Sequence, residues 1–268
     1  MSMKYVIDND LHIHTNLSPC ERDPWQTPAR ILRYAEVTGL KTVCVADHFW
    51  DEKAPGTFDE IDWYSYQTFE HISQARPLPQ KEGIRFLFGC ETELDKDFRL
   101  GLWEGRLDEF DFIVIPTDHL HLEGITVRPG DGSPDRRREL YVERLDRVLR
   151  LDLPYHKIGI AHLTGSLIGK EPGDELVILD GIGDGVWREL FSRIARLGAG
   201  VELNLDLSGY APEDRPRVLR PYRIARECGC RFYLGSDAHE IHGLLGAPAR
   251  FRAVVDALGL TEEEKFRV

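Results

Sequence analysis

The sequence predicts an α/β barrel, built as one domain over residues 1–268. Its 268 residues lie near the upper end of what a single hydrophobic core supports. Apolar runs of strand length alternate with segments of helical periodicity, which predicts parallel strands joined by right-handed crossover helices. Polar, metal-capable side chains follow most of these runs, as they do at the functional end of a barrel. No linker, repeat or low-complexity tract divides the chain.

Seven strand-length runs can be counted, one fewer than the usual barrel has. Six of them lead into a side chain able to bind a metal ion, and the other offers only Glu202 and Asn204. Two longer intervals, 49–83 and 120–155, hold helices and loops rich in Gly and Pro, and we expect them to be insertions over the active face. The seven runs are Tyr5–Ile7, Thr42–Ala46, Arg85–Gly89, Phe112–Ile115, Lys157–Ala161, Val201–Leu205 and Arg231–Leu234.

The helical segments between the runs have recognisable ends. Thr27 is a predicted N-cap, Pro28 suits the first helical position, and Gly39 predicts the end of that helix. The segments Asp184–Leu197 and Asp214–Cys228 repeat the apolar periodicity, and each precedes a strand. Helix and strand therefore alternate along most of the chain.

Composition excludes several classes of protein. The net charge of −12 argues against binding to a nucleic-acid backbone, which needs clustered Lys and Arg. No apolar stretch reaches the roughly 18 residues that span a bilayer, and the first residues lack the layout of a secretory signal. We therefore expect a cytoplasmic protein without nucleic-acid or membrane partners. An anionic substrate would be repelled by this charge unless divalent cations lie at the site.

Eight metal-capable side chains lie at predicted strand ends, and a barrel would bring them to one face. A lone His at such a place is usually an ordinary hydrogen-bonding residue. His12 and His14 differ, because alternate residues of a strand point to the same side and can chelate one ion. Asp237 and His239 repeat this spacing on the last strand, next to the first in a closed barrel. The eight are His12, His14, His48, Glu91, His119, His162, Asp237 and His239.

The mixture of imidazoles and carboxylates suits Zn²⁺, Mn²⁺ or Fe²⁺ better than Mg²⁺ or Ca²⁺. We expect two or three divalent ions, two of them bridged by Glu91. Asp10, Asp47 and Asp118 stand close to ligand histidines in sequence and could orient those imidazoles. His121 could replace His119, since both lie in the sequence DHLH.

The order of the motifs DLHIHT, VADH, GCETE, TDH, IAH and GSDAH resembles the polymerase-and-histidinol-phosphatase (PHP) superfamily of metal-dependent phosphoesterases, over most of the chain. The stretch VELNLDLSGY is most similar to members of the histidinol-phosphatase type. This resemblance implies a distorted seven-stranded (βα) barrel with up to three metal sites. The implied sites are His12, His14, Glu91 and Asp237 for the first, Glu91, His119 and His162 for the second, and His48, His239 and the residue six places after His14 for the third.

That last position departs from the pattern of the family, which commonly has His there. Here it is Cys20, whose thiolate is a good zinc ligand. The third site could therefore persist with a different metal preference. Alternatively Cys20 is a bystander, with Glu21 or Asp23 substituting or the third site left weak.

The leading functional prediction is hydrolysis of a small phosphate monoester, such as a histidinol-phosphate-like compound, by a hydroxide that bridges two metal ions. A protonated Asp or His, with Asp237 and His239 as candidates, or a metal-bound water would assist the leaving group. An arginine would steady the phosphate, and the candidates in active-face loops are Arg22, Arg128 and Arg136–Arg138.

Two alternatives belong to other functional classes. An amidohydrolase-type barrel also opens with His-x-His and closes with Asp, but it usually bridges its metals with a modified Lys where this chain offers Glu91. A metal-binding module without catalytic activity is the other alternative, suggested by the departure at Cys20. The sequence makes no prediction about oligomeric state.

Overall fold

The computed structural model describes residues 3–20, 23–56 and 62–268. One sheet of seven parallel strands runs in chain order from β1 to β7, with helices between the strands. The strands are β1 Asn9–Ile13, β2 Thr42–Val45, β3 Arg85–Glu91, β4 Phe112–Pro116, β5 Ile158–Ala161, β6 Gly200–Leu203 and β7 Arg231–Leu234. The helices are α1 Pro28–Thr38, α2 Asp62–Ser65, α3 Phe69–Ile72, α4 Pro134–Val148, α5 Asp174–Gly181, α6 Asp184–Leu197, α7 Arg215–Glu227 and α8 Ile241–Leu258.

The sheet curls until β7 meets β1, and we call this junction the seam. We call the end of the barrel at the C-terminal ends of the strands its upper end. There the two backbones of the seam pair directly, because Asp237 N–H donates to His12 O (2.8 Å) and His14 N–H donates to Ala238 O (3.2 Å). Lower down, two side chains of β1 accept backbone N–H groups of the β7 segment. Asn9 Oδ1 accepts from Leu234 (3.1 Å) and Asp10 Oδ1 from Ser236 (2.9 Å). The chain therefore forms a nearly closed α/β barrel, as the sequence predicted.

The first strand is the one element that the sequence analysis misplaced. β1 covers Asn9–Ile13, whereas the predicted run was Tyr5–Ile7. Tyr5 instead lies against the C-terminal segment, with its N–H donating to Leu260 O (3.3 Å) and its hydroxyl to Phe232 O (2.8 Å). The strand was not predicted because three of its five buried side chains, Asn9, Asp10 and His12, are polar. The prediction relied on runs of apolar residues.

Two apolar cores support the strands. The larger fills the space between sheet and helices; in it Trp187 and Phe191 of α6 stack at 5.2 Å between ring centroids. The smaller lies inside the barrel, where Phe112, Tyr233 and Phe266 pack together beneath the upper strand ends. These apolar residues fill the barrel interior, so the polar residues at the strand ends lie at one end of the barrel.

The helix predictions agree closely with the structure. α6 has the predicted bounds, and α1 begins at Pro28 and ends before Gly39, whose φ of 78° is left-handed. Thr27 precedes α1 but makes no side-chain capping bond. The interval 49–83 contains the short helices α2 and α3, and the interval 120–155 contains α4. Among the described residues, no helix combines the length and apolarity needed to cross a bilayer.

Candidate metal centre

All eight strand-end side chains singled out in the sequence meet at the upper end of the barrel. Among the described residues, four groups have potential ligand atoms within 4.8 Å of one another. Glu91, His12 of β1 and His14, which directly follows β1, are almost wholly excluded from solvent. The four groups are His12, His14 and Asp237; Glu91, His119 and His162; His14, Cys20, His48 and His239; and His12, His162 and Glu202.

Glu91, the last residue of β3, occupies the middle of this cluster. Its Oε1 lies 3.6 Å from His12 Nε2 and 3.9 Å from both His119 Nε2 and His162 Nε2. Its Oε2 lies 2.8 Å from His48 Nδ1 and 3.5 Å from His14 Nε2. Each oxygen of one carboxylate therefore faces a different set of imidazoles, which is the arrangement that a bridging ligand requires.

Asp237 lies on the opposite side of the cluster, just after β7. Its Oδ1 lies 3.0 Å from His14 Nε2, and its Oδ2 lies 3.4 Å from His162 Nε2. The backbones of Asp237 (φ 51°) and His162 (φ 54°) are both left-handed, a conformation uncommon for residues other than Gly and enriched at functional sites. Two strand ends therefore adopt a strained turn to aim these side chains into the cluster.

Two buried carboxylates, Glu202 and Asp118, lie beside the Nδ1 atoms of two imidazoles, on the side away from the centre of the cluster. Glu202 of β6 accepts from His12 Nδ1 through Oε1 (2.8 Å) and from the backbone N–H of His162 through Oε2 (3.1 Å). Gly235 makes room for this contact, since a Cβ there would collide with Glu202 Oε1. Asp118 Oδ1 lies 3.3 Å from His162 Nδ1. In both histidines Nε2 is the nitrogen left facing the cluster.

His14 and His119 are anchored through their Nδ1 atoms as well. His14 Nδ1 contacts Ser18 Oγ (2.8 Å), and that hydroxyl donates to Asp47 Oδ1 (2.9 Å). His119 Nδ1 donates to Glu93 Oε1 (3.3 Å), which also accepts from the Tyr64 hydroxyl. Both carboxylates are buried, so each is a fixed acceptor that sets the tautomer of its imidazole.

The expected orienting roles of three aspartates were misassigned in the sequence analysis. Asp47 lies behind His14 instead of His48, and Asp118 lies beside His162 instead of His119. Asp10 does not hold His12, since its Oδ2 accepts from Tyr34 and its Oδ1 from the backbone of Ser236. Neighbouring residues of an extended segment point to opposite sides, so an Asp directly before a His faces away from it.

Glu93 and Glu202 were not recognised from the sequence as orienting groups. Glu93 stands two residues after Glu91, the spacing that places side chains on the same side of an extended segment. Arg144 of α4 reinforces it, with Nη2 lying 3.7 Å from Glu93 Oε2 and donating to Leu94 O (2.6 Å). The same spacing rule that selected His12 and His14 could therefore have identified Glu93.

Cys20 joins the cluster beside His48 and His239. Burial raises the pKa of its thiol, but hydrogen bonds from His239 and His48 outweigh this and bring it to about 7. Asp23 lies elsewhere, where it pairs with Arg30 (2.9 Å) and accepts from the backbone of Trp25. Glu21, the other suggested substitute, and Arg22 lie outside the described residues.

His119, and not His121, is the member of the DHLH pair that enters the cluster. His121 is exposed and its ring lies 5.3 Å from that of His119. Although the residue is partly open to solvent, desolvation of its ring and the neighbouring His119 lower the pKa of His121 to about 4, so at neutral pH this imidazole is uncharged. It lies at the edge of the site.

Opposite charges are concentrated in the cluster. Burial raises the pKa of Glu91, but His48 and His12 outweigh this and hold it well below its usual value. Burial likewise opposes the charged form of His12, yet Glu202, Glu91 and Asp237 raise its pKa well above the usual value. For His14, burial and the nearby His239 lower the pKa. The carboxylates thus stay ionised and favour positive charge among them.

These donors fit a divalent cation. Glu91 Oε1 and His162 Nε2 are buried 3.9 Å apart, and neither has a hydrogen-bond partner in the described part of the chain. His12 Nε2 and His14 Nε2 face each other at 3.1 Å. Lone pairs held this close are stabilised by a shared cation, and an N and O donor set suits Zn²⁺, Mn²⁺ or Fe²⁺.

Two cavities open onto the cluster. One, of about 400 Å³, is bordered by Cys20, His48, His121, His239 and Arg250, among other residues. The other, of about 410 Å³, lies on the side of β5 and β6. Leu167 and Asp237 border both cavities, so one substrate molecule at the cluster can extend into each of them. The second cavity is bordered by Asp118, His162, Thr164, Glu175, Asn204, Asp206 and Tyr210 along with others.

The described arginines suggested as phosphate contacts, Arg128 and Arg136–Arg138, border neither cavity. Arg128 pairs with Asp97, Arg136 with Asp131 (3.1 Å) and Arg138 with Asp135 (2.7 Å). The Arg137 guanidinium is buried and donates to Ile168 O (3.2 Å) and Gly169 O (2.7 Å). These side chains support the loops around the barrel.

Two solved structures resemble this one over nearly the whole chain. A histidinol phosphate phosphatase of Lactococcus lactis, in complex with zinc, L-histidinol and phosphate, has a TM-score of 0.59 at 17% identity, covering 97% of this chain and 99% of its own. A histidinol phosphatase assigned in Listeria monocytogenes has a TM-score of 0.58 at 15% identity, covering 88% and 97%. No family model and no curated protein sequence matched. The chain therefore has the fold of these histidinol phosphatases, in agreement with the resemblance of its motifs to the PHP superfamily.

Proposed function

We propose that this protein is a metal-dependent phosphatase that hydrolyses a small phosphate monoester, of the histidinol-phosphate type or similar. The observation that carries the proposal is the common orientation of four imidazoles around Glu91, whereas His48 turns its Nδ1 toward Glu91. His12, His14, His119 and His162 each have Nδ1 beside an acceptor and Nε2 toward the centre. Ordinary hydrogen-bonding histidines have no reason to share that orientation, whereas ligands of clustered metals do.

The eight strand-end residues are the proposed ligands, with Cys20 added to the group of His48 and His239. Two or three ions would be held, with Glu91 between two of them. Such ions supply Lewis-acid activation and an activated water for phosphoester hydrolysis. A thiolate at position 20 favours zinc or iron over manganese for its site.

The rest of the proposed mechanism concerns what the chain itself does. Glu202, Glu93 and Asp118 hold imidazoles in place, so that little reorganisation accompanies the reaction. Leu167 and the buried strand ends exclude water from the inner part of the site. His239 is the proposed proton donor to the leaving alcohol when no ion occupies its site, because Cys20 and Asp237 outweigh the effect of burial and raise its pKa. Asp237, the other candidate from the sequence, suits a ligand better, because His162 and His12 outweigh the effect of burial and hold its pKa well below the usual value.

The related Lactococcus structure adds support for the substrate class, because that protein binds L-histidinol and phosphate. The second cavity offers carboxylates and the Asn204 amide for the alcohol part of such a substrate. A cytoplasmic location and the absence of nucleic-acid partners stay predictions from the sequence.

A panel of phosphate monoesters, tested with protein loaded with Zn²⁺ or with Mn²⁺, decides the proposal. We expect turnover of at least one ester, two or three ions per chain by elemental analysis, and loss of turnover in His14→Ala with the fold retained. Hydrolysis of amides or lactams without phosphatase activity would instead identify an amidohydrolase. Failure to hydrolyse any of these compounds, with at most one ion bound, would identify a metal-binding module.

Cys20 needs its own test, since its ligand role is a separate part of the proposal. Cys20→Ser should lower the number of zinc ions bound per chain, whereas Cys228→Ser, which changes a thiol outside the cluster, should not. Equal zinc content in both variants would show that Cys20 is a bystander.

A further inference from the structure

We propose that Arg250 of α8 binds the phosphoryl group of the substrate. The inference rests on the proposed phosphatase function and adds a residue to it. Arg250 is the only Lys or Arg among the described residues that border the cavity beside Cys20 and His239. No motif of the sequence pointed to it, because it lies 11 residues beyond the end of GSDAH.

Two backbone carbonyl groups fix the position of the Arg250 guanidinium. Nη2 of Arg250 donates to Ser236 O (3.3 Å) and to Gly243 O (3.2 Å). Ser236 directly precedes Asp237, so these bonds place the guanidinium beside the metal cluster. Nη2 uses its two protons in this way. The Nε and Nη1 groups of Arg250 make no hydrogen bond within the described part of the chain, which leaves three N–H donors for a ligand.

Within the described part of the chain, the charge of Arg250 also has no ion-pair partner. Arg128, Arg136 and Arg138 each form an ion pair with a carboxylate, whereas no described carboxylate lies within 4.0 Å of the Arg250 guanidinium. A half-buried, unpaired guanidinium next to a cavity is ready to pair with an anion that enters it.

A phosphoryl group matches what this guanidinium offers. Nε and Nη1 each keep an N–H that can donate to a phosphate oxygen, and hydrogen bonds between charged groups are the stronger kind. Because the carbonyls of Ser236 and Gly243 already hold the side chain, little rotamer entropy is lost on binding. In a chain with a net charge of −12, this side chain also offsets the repulsion that an incoming phosphate meets.

The test compares Arg250→Met and Arg250→Lys with the wild type, all loaded with zinc. The readouts are kcat/KM for the best monoester of the panel, the inhibition constant of inorganic phosphate, and phosphate binding by calorimetry. We expect Arg250→Met to weaken phosphate binding and kcat/KM roughly 10- to 100-fold. Arg250→Lys should lose less, about 3- to 10-fold, because it keeps the positive charge and loses the separate Nε and Nη1 donors. Arg128→Met, which removes an arginine outside both cavities, should leave every value unchanged.

Metal content separates ligand binding from a merely structural role. If Arg250→Met binds phosphate within twofold of the wild type, the residue only ties Ser236 to α8 and the inference is overturned. If that variant loses metal, Arg250→Lys with full metal content decides by the same criterion. An effect confined to esters with a second acidic group, with unchanged inhibition by phosphate, also overturns it. If the wild type hydrolyses no ester and Arg250→Met still weakens phosphate binding, the inference stands and the proposed function fails.

Discussion

Replacing Glu202 by Gln should weaken metal binding at the centre while leaving the barrel folded. In the wild type both oxygens of Glu202 act as acceptors, one for His12 Nδ1 (2.8 Å) and one for the backbone N–H of His162 (3.1 Å). Gln has one oxygen and one amide nitrogen in that space. Whichever way it turns, one of the two donors meets an NH₂ group instead of an acceptor.

The two orientations of the new side chain predict the same direction of effect. If the amide nitrogen faces His162, a buried N–H loses its partner. If it faces His12, the imidazole must switch its proton to Nε2, which then cannot bind a metal through that atom. An unsatisfied buried group costs about 1–3 kcal/mol. Removal of a carboxylate behind a ligand His usually weakens metal binding roughly 10- to 100-fold, and we expect a loss of that size here.

Zinc affinity would be measured by competition with a chromophoric chelator, and the geometry of the site by the visible spectrum of the cobalt-loaded protein. Glu175→Gln is a matched control, because Glu175 is also a buried Glu but accepts from a backbone N–H (Gly173, 3.0 Å) and contacts no imidazole. Zinc affinity within threefold of the wild type in Glu202→Gln would refute the orienting role. A loss above about 1,000-fold, well beyond the usual effect of an orienting carboxylate, would mean that Glu202 is itself a ligand.

Three further outcomes are expected. Burial raises the pKa of Asp10 from 3.8 to about 6, so the contribution of this carboxyl to the free energy of unfolding falls by roughly 3 kcal/mol as the pH rises from about 4 to above 6. Asp10→Asn should remove that loss, and urea unfolding of both proteins across this range measures the difference. Tyr64→Phe removes the hydroxyl that donates to Glu93 and should weaken cobalt binding about 3- to 10-fold, with little change in its spectrum if one site only is affected. Trp187→Ala should lower the free energy of unfolding by about 3–5 kcal/mol in urea titrations, without changing the number of ions bound.

The meeting of the candidate ligands at one face could be predicted from sequence because it depends on local rules. A parallel barrel gathers its strand ends at one face, and the spacing of His12 and His14 points both side chains to one side. Cys20 was identified from its place six residues after His14, and the structure brings it beside His48 and His239. No knowledge of strand register was needed for these predictions.

The partners of those ligands depend on register and could not be predicted in the same way. Asp118 faces His162 because β4 and β5 lie side by side, with Pro116 opposite Ala161. Arg250 reaches the cavity because a turn and one helix bring it back over Ser236. Such contacts join residues whose separation in sequence carries no information about their separation in space. The described candidates chosen by closeness to the motifs, Arg128 and Arg136–Arg138, therefore lie outside both cavities.

The seam gives the metal centre a further property. His12 and His14 stand on one side of it, and Asp237 and His239 on the other, more than 220 residues away along the chain. An ion bound by residues from both sides would cross-link β1 to the segment after β7, because opening the seam would separate its ligands. Ion binding and barrel closure then become linked equilibria, each favouring the other. Removal of the metal should show first as faster amide hydrogen exchange along β1 and β7, before any other strand is affected.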